Sequence, residues 1–331
     1  MAEARRSRIG WLPLEKPLVE LEEQIEELRG LLNSDELSPE ERRYYRREVR
    51  NLERRMETLR QEIFSHLTTW DKVQLARHPE RPYTLDYLRL IFHDFLELHG
   101  DRLFGDDPAI VGGIAFLEEQ SLMVIGHQKG RTLQERKQRN FGQARPEGYR
   151  KAIRLMKLAE KYRRPVVCFL DTPGAACLVE AEERGISEAI ARSMLTMAQL
   201  RVPIVVFIIG EGGSGGAIAL GLGDRVYMLE YAIYSVILPE ACASIIWRDA
   251  SKGPEAAEAL QLTAEGALRF GLIDGVLPEP LGGAHRNPAA MAATIRAQLL
   301  AALEELRAKD VETLLEERYQ KFRRMGVWEG E

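Results

Sequence analysis

Residues 202–217 read VPIVVFIIGEGGSGGA, and the reading of this stretch decides the fold. An apolar run from Val202 to Ile209 gives way at once to five glycines in the seven residues 210–216. An unbroken apolar run that ends in turn residues is the pattern of a strand buried on both faces. An earlier stretch repeats the theme. RRPVVCFLDTPG at 163–174 and LRVPIVVFIIG at 200–210 each run basic turn, proline, apolar strand and glycine loop, and their prolines stand 38 residues apart. Apolar strands that alternate with helical segments predict a parallel sheet. In such sheets ligands bind at the carboxyl ends of the strands, where both glycine loops fall.

Working outward, 225–230 and 233–238 add strands, and 289–325 is helical, rich in Ala, Leu and Glu. Upstream, 109–117 and 122–125 form a strand pair around EEQS (118–121). A helix starts at Thr84, shows the face Leu88, Ile91, Phe95 and Leu98, and ends at Gly100. Before it, Leu14, Leu18, Leu21, Ile25, Leu28 and Leu32 form one coiled-coil seam, and Tyr45, Val49, Leu52, Met56, Leu59 and Ile63 a second. Residues 33–37 are loop-like between them. Ser38, Pro39 and Glu41 restart the helix as N-cap, first-turn proline and capping box. The predicted organisation is a helical hairpin and linker at 1–83, an α/β core at 84–288, and C-terminal helices at 289–331.

The glycine loop admits three chemical readings. Gly210, Gly212 and Gly215 fit G-x-G-x-x-G, with Glu230 twenty residues past Gly210 as a ribose-binding acid. That fingerprint usually sits in the first βαβ unit of its domain, whereas here the LDTPGA strand and loop come before it. Gly212, Ser214 and Gly216 fit the G-x-S-x-G elbow, with His285 the only histidine after Ser214 and Asp249 or Asp274 as orienter. A serine elbow rarely needs five glycines. The third reading needs no catalytic side chain: unshielded N–H groups at a helix start suit an oxyanion that develops during reaction. A purely structural turn accounts for one or two of the glycines. The density favours the third reading.

Composition narrows the class. In 331 residues, 45% are hydrophobic, 29% are charged and the formal net charge is −5, so there is no global nucleic-acid footprint. The longest apolar run is far short of the ~20 residues that span a bilayer, and the first sixteen residues lack a signal-peptide core. Three cysteines, Cys168, Cys177 and Cys242, match no zinc spacing and predict reduced thiols in a cytoplasmic protein. A nucleophilic Cys242 has no dedicated base. His66, His78, His93 and His99 receive no chemistry, and His127 and His285 are read as structural hydrogen-bonding groups. Residues 129–154 hold nine Lys or Arg and two Glu. In this stretch Lys129 and Arg131 are candidate contacts for an anionic substrate, or else part of a solvated or subunit-contact loop.

Several stretches then carry one resemblance: ARHPERPY (76–83), IVGGI (110–114), GHQKGR (126–131), PEGYRKA (146–152), DTPGA (171–175), AEERG (181–185), SEAIAR (187–192), GEGGSGGA (210–217) and PEPLGGAHRNP (278–288). In this order they resemble the alpha subunit of bacterial-type acetyl-CoA carboxylase carboxyltransferase over nearly the whole chain. The resemblance implies a crotonase-like (ClpP/crotonase) α/β spiral of β-β-α units. It implies transfer of a carboxyl group from carboxybiotin to acetyl-CoA, giving malonyl-CoA for fatty-acid synthesis. Biotin would arrive on a biotin carboxyl carrier protein, loaded by a separate ATP-using biotin carboxylase. The partner would be a zinc-bearing beta subunit in an alpha2-beta2 heterotetramer, with no metal in this chain. By the same likeness, the N–H groups of Gly215 and Gly216 are the biotin-side oxyanion donors. Gly212, Gly213 and Ser214 form the floor, and Gly174 and Ala175 wall the carboxybiotin pocket.

Two departures stand out. After DTPGA the family usually has an aromatic residue, Pro and Gly, whereas this chain has Ala176, Cys177 and Leu178, a run with better helix propensity. Before Cys242 it has Ala241 where the family usually has Gly, a strained choice if that site needs φ > 0. The expectation from these is a conserved fold with an altered or weakened donor pocket, up to a non-catalytic or altered-donor paralogue.

Overall fold

The computed structural model describes residues 11–34 and 37–326. The first ten residues of the segment tested for a signal peptide, and Asp35 and Glu36 of the inter-helix loop, lie outside them. The chain opens with helices α1 (Lys16–Leu32) and α2 (Pro39–Ser65), which form the antiparallel hairpin. Ser38 Oγ accepts the Glu41 N–H at 3.2 Å and the Glu41 carboxylate accepts the Ser38 N–H at 2.9 Å, the predicted capping box. Helices α3 (Thr69–Ala76) and α4 (Thr84–Ile91) follow.

Here the structure corrects the sequence reading. The helix begun at Thr84 stops at Ile91, and its expected second half is strand β1 (His93–Glu97). β1 pairs antiparallel with β2 (Ile110–Leu117), with a bulge at Asp94, whose φ is 50°. The i, i+3 and i+4 spacing of Leu88, Ile91 and Phe95 runs on in the letters, but the edge of β2 supplies backbone partners that a helix there would forgo. Gly113 makes the pairing close, since a Cβ on it would sit 2.0 Å from the Leu96 carbonyl oxygen.

β2 pairs antiparallel with β3 (Gln120–His127). Then come α5 (Leu133–Gln138), α6 (Pro146–Lys161), β4 (Val166–Thr172), α7 (Val179–Glu183), α8 (Ile186–Gln199), β5 (Ile204–Gly213) and α9 (Ser214–Ile218). The remainder is β6 (Arg225–Leu229), β7 (Ile233–Ser235), α10 (Pro239–Trp247), α11 (Gly253–Leu260), α12 (Ala264–Arg269), β8 (Gly275–Leu277), α13 (Pro288–Arg307) and α14 (Val311–Arg323). Among the described residues eight strands form one sheet, seven of them in the order β1-β2-β3-β4-β5-β6-β8 with β7 beside β5 off that path, parallel from β3 onward.

The repeat seen in the sequence sets the register: Val166 pairs with Ile204 and Phe169 with Phe207. Phe169, Phe207 and Tyr227 stack in line at 5.7 Å between successive ring centroids, and Tyr87 of α4 closes the ladder on Phe169 at 5.9 Å. Helices α4 and α13 cover that face of the sheet, and α6 and α8 the other, so every residue of β4 and β5 is buried. The last three residues of β5 leave β6 and pair instead with β7, so β5 changes partner within the sheet at Glu211, where the glycine loop runs.

Candidate functional site

Strands β4 and β5 finish side by side, Thr172 opposite Gly212. From there two turns meet backbone to backbone. A Cβ on Gly213 would lie 2.2 Å from the Pro173 carbonyl oxygen, and one on Gly216 would lie 2.6 Å from the Gly174 carbonyl carbon and 2.7 Å from the Ala175 nitrogen. Only glycine allows this approach. Thr172 Oγ1 shapes the facing turn, donating to the Gly174 carbonyl at 2.7 Å and accepting the Gly174 N–H at 3.1 Å. Gly212 lies against the Tyr234 ring. Gly215 is different: its Cβ would stand 3.4 Å from Ile190 Cδ1, so space does not demand glycine there.

The predicted residues Gly174, Ala175, Gly212, Gly213, Ser214, Gly215 and Gly216 therefore converge. The N–H groups of Gly215 and Gly216 belong to the first turn of α9 and have no carbonyl four residues back within that helix to bond. Gly215 is half-buried, Gly216 is buried and Ser214 is exposed. The arrangement can offer backbone donors to an acceptor placed between the two turns.

Both competing motif readings fail on geometry. Ser214 does have an elbow-like φ of 48° between strand and helix. Yet among the described residues no hydrogen bond reaches its Oγ, and His285 is buried with Nε2 on Glu15 Oε1 at 2.8 Å. Gly210 and Gly212 of the dinucleotide pattern lie inside β5, and the Glu230 carboxylate accepts the Glu279 N–H at 3.0 Å. Cys168 is buried in β4, which pushes its thiol up to about 12, and Cys242 packs against Ala243 and Ala256.

Lys129 and Arg131 are already engaged. Lys129 Nζ lies 2.7 Å from Asp171 Oδ1 and 2.8 Å from Glu211 Oε2, and its side chain is only 13% exposed. Burial works against its charge, but the two carboxylates outweigh burial and raise its pKa above the usual lysine value. Arg131 pairs with Asp86 at 2.6 Å, donates to the Pro79 and Arg81 carbonyls and covers the Tyr83 ring. Within the basic stretch, Arg150 pairs with Asp101 and Glu147, Lys151 with Asp106, and Arg136, Arg139 and Arg154 donate to backbone carbonyls. The stretch spends much of its charge holding its own fold.

The acid partners of Lys129 escaped the sequence reading. Glu211 also binds Arg77 Nε at 2.8 Å, and Arg77 forks onto Glu240 at 2.5 and 3.2 Å. Burial opposes ionisation of Glu211, but Lys129 and Arg77 prevail and its pKa is lowered. One signal was available: Asp171 and Glu211 each follow a wholly apolar run, and an acid there needs a cation.

A second cluster, Glu15, His78 and His285, is the one group among the described residues with metal-ligand types in close reach. His78 Nε2 stands 3.0 Å from Glu15 Oε2, and the two imidazoles stack at 4.0 Å. His78 Nδ1 accepts the Glu80 N–H at 3.1 Å, which puts the neutral ring's own proton on Nε2, facing the carboxylate. A metal-binding imidazole needs the reverse arrangement. Arg286 also lies 3.2 Å from the same carboxylate. The cluster is a clamp that holds two imidazoles and a guanidinium against one carboxylate.

The two departures leave no strained backbone. Ala176, Cys177 and Leu178 do not join a helix, since α7 starts at Val179, and the Ala176 N–H donates to the Ala144 carbonyl at 2.9 Å. Leu178 has φ −103°, and Gly174 is the only residue of 171–178 with positive φ, 154°. Ala241 lies within α10 and is likewise free of positive φ. No position here demands the missing glycines.

Known proteins resemble this chain over most of its length. A family model described as acetyl co-enzyme A carboxylase carboxyltransferase-like matches residues 11–326. The chain is 55% identical over 325 residues to the acetyl-coenzyme A carboxylase carboxyl transferase subunit alpha of Chlorobaculum parvum, covering 96% of this chain and 97% of that one. It is 55% identical over 315 residues to the same-named subunit of Geobacter metallireducens, covering 95% and 96%. Among solved structures it is similar to transcarboxylase 12S with methylmalonyl-coenzyme A bound, at TM-score 0.56 and 20% identity, over 69% of this chain and 42% of that one. It is similar also to the P. aeruginosa geranyl-CoA carboxylase beta subunit, at TM-score 0.52 and 19% identity, over 74% and 46%. The fold is crotonase-like, as the sequence led us to expect.

Proposed function

The chain belongs to the family of acetyl-CoA carboxylase carboxyltransferase alpha subunits, and we propose that its two facing turns, 171–175 and 210–216, form the carboxybiotin side of the transfer site. It is a subunit of a multi-subunit transferase that moves a carboxyl group from carboxybiotin to acetyl-CoA. The observation that carries the site assignment is the close approach of Gly213 and Gly216 to the backbone of 173–175, beside first-turn amides with no partner in their own helix.

Bound carboxybiotin supplies the carboxyl group. This chain contributes backbone. The N–H groups of Gly215 and Gly216 donate to the biotin oxygen on which negative charge develops, where one such donor is worth roughly 3 kcal/mol in the transition state. Gly174 and Ala175 wall the pocket, and Gly212, Gly213 and Ser214 floor it. Being fixed in the fold, these donors need no rearrangement as the charge appears. The partner in this reading is a zinc-bearing beta subunit, in a heterotetramer of two of each. A biotin carboxyl carrier protein delivers the donor, a separate biotin carboxylase charges it with ATP, and the assembly works in the cytoplasm. Exposed apolar side chains at Val236, Ile245, Ile246 and Trp247 support a subunit contact.

The altered-donor reading is not favoured. Its premises were a loop that lines the pocket differently and an Ala241 strained if its φ were positive; Ala241 is helical with no positive φ, and the relatives that match nearly the whole chain are carboxyl transferase alpha subunits. The test is malonyl-CoA formation by this chain mixed with a family beta subunit, carboxylated carrier and acetyl-CoA. Turnover is expected only in the mixture, and Gly213→Ala, whose Cβ would meet the Pro173 carbonyl, should lower kcat by about 10²-fold. Full activity of Gly213→Ala would remove the two-turn site.

A further inference from the structure

The ammonium of Lys129 stands beneath the site rather than in it. It bridges Asp171, which opens one turn, and Glu211, which opens the other. Asp171 Oδ1 also accepts the Glu211 N–H at 2.9 Å, so a single carboxylate oxygen touches both the lysine and the second turn's backbone. Two glycines make room for this arrangement. A Cβ on Gly142 would lie 2.7 Å from Lys129 Cγ, and one on Gly210 would lie 2.4 Å from Asp171 Oδ1. Outside the bridge, Arg77 grips Glu211 and Glu240, so two cations serve three carboxylates. The turns are therefore joined twice: by charge at the base, and by glycine contact at the top, where Gly213 and Gly216 meet residues 173–175.

We propose that Lys129 is a positioning residue for carboxyl transfer, its ammonium fixing the distance between the two site turns without touching substrate. The inference rests on the assignment of those turns as the carboxybiotin side of the site. The physical reason is geometric. The donors at 215 and 216 lie four and five residues past Glu211, and the wall at 174 and 175 lies three and four past Asp171. A change in the spacing at the base is passed directly to the oxyanion position. Lysine suits the task because a compact ammonium can sit within hydrogen-bond reach of two carboxylates, whereas a planar guanidinium is wider and reaches further.

The experiment compares Lys129→Arg, Lys129→Met and the pair Lys129→Met/Asp171→Asn in the reconstituted alpha-beta enzyme, with carboxylated carrier and acetyl-CoA as substrates. The paired variant removes one positive and one negative charge together and leaves Glu211 paired with Arg77, so it adds no unbalanced buried charge even if Lys129→Met alone fails to fold. Expected is a fall in kcat of about 10-fold for Lys129→Arg and about 10²-fold for the methionine variants, with KM for both substrates within about twofold of wild type. Raised KM at unchanged kcat in Lys129→Arg would make Lys129 a substrate contact and overturn the proposal. So would wild-type kcat in a folded paired variant. Gly216→Ala, measured alongside, separates the two claims. If it turns over normally, the assignment of the turns fails. If it is inactive while the Lys129 variants are normal, only the positioning role fails.

Discussion

His127 shows how burial alone gives a single residue a pH signature. It ends β3, is fully buried and stands beside the backbone of Phe169 and Gly216, behind the glycine turn. Burial pushes its pKa down to about 3, helped by the nearby Lys129 charge. The folded pKa lies below the unfolded value, so between pH 6.5 and 3 the unfolded chain binds the extra proton. Stability is complete above pH 6.5 and falls as pH drops through that window. At pH 5 this one ring should cost about 2 kcal/mol relative to pH 7. His127→Gln should abolish that component: urea midpoints of variant and wild type should converge between pH 7 and 5, and parallel curves would show that the ring is protonated in the folded state. The family motif marked His127 as worth noticing, but nothing in GHQKGR reveals that its imidazole is sealed against protons.

At the scale of elements, the legible parts were those whose partners are near or repeated. The Ser38 capping box depends on residues three apart, and the β4–β5 register follows the spacing of two prolines. Parallel, doubly buried strands could be read from unbroken apolar runs. The strand at 93–97 was misread because its partner β2 starts beyond a long irregular segment, and local spacing cannot register an edge that far away. The same limit hid the base of the site, since Lys129 and Glu211 are 82 residues apart. It also hid how α14 docks. Arg318 is buried, pairs twice with Asp224 at 2.8 Å, and donates to the Met197, Leu200 and Val202 carbonyls at 2.7–3.0 Å. Asp224 in turn accepts the Ile204 N–H at the start of β5. Arg318→Met should therefore leave a buried carboxylate without its cation and the Leu200 and Val202 carbonyls without their donor, costing about 3–5 kcal/mol in denaturant unfolding. Arg318→Lys should recover little, because an ammonium cannot reproduce the fork. A loss below about 1 kcal/mol would show that α14 is held by its apolar face alone.

The whole molecule turns on one carboxylate near its start. Glu15 is fully buried and gathers His78 from the linker with His285 and Arg286 from the turn before α13. Burial works against its charge, yet His285 and His78 beside it hold its pKa well below the usual carboxylate range. The stability this provides is present above pH 4.5 and is lost only as pH falls below it. Arg286 extends the clamp to Glu22 at 2.8 Å and lies over the Trp11 ring, so the hairpin is tied to the core by charge as well as by the apolar cluster of Leu18, Phe64, Leu75 and Tyr231. One step away, buried Arg81 forks onto Glu279 at 2.5 and 3.0 Å and donates to the Ile209 carbonyl, one residue before the glycine turn. The helical hairpin and the sheet thus meet through buried charge that reaches the root of the site. Calorimetry should give a single unfolding transition for the wild type. Glu15→Gln keeps the shape but removes the anion that the histidines and Arg286 share, and should lower stability by about 3 kcal/mol while the transition stays single. Two separated transitions in that variant would show instead that the hairpin unfolds as its own unit, and that the clamp joins two independent bodies.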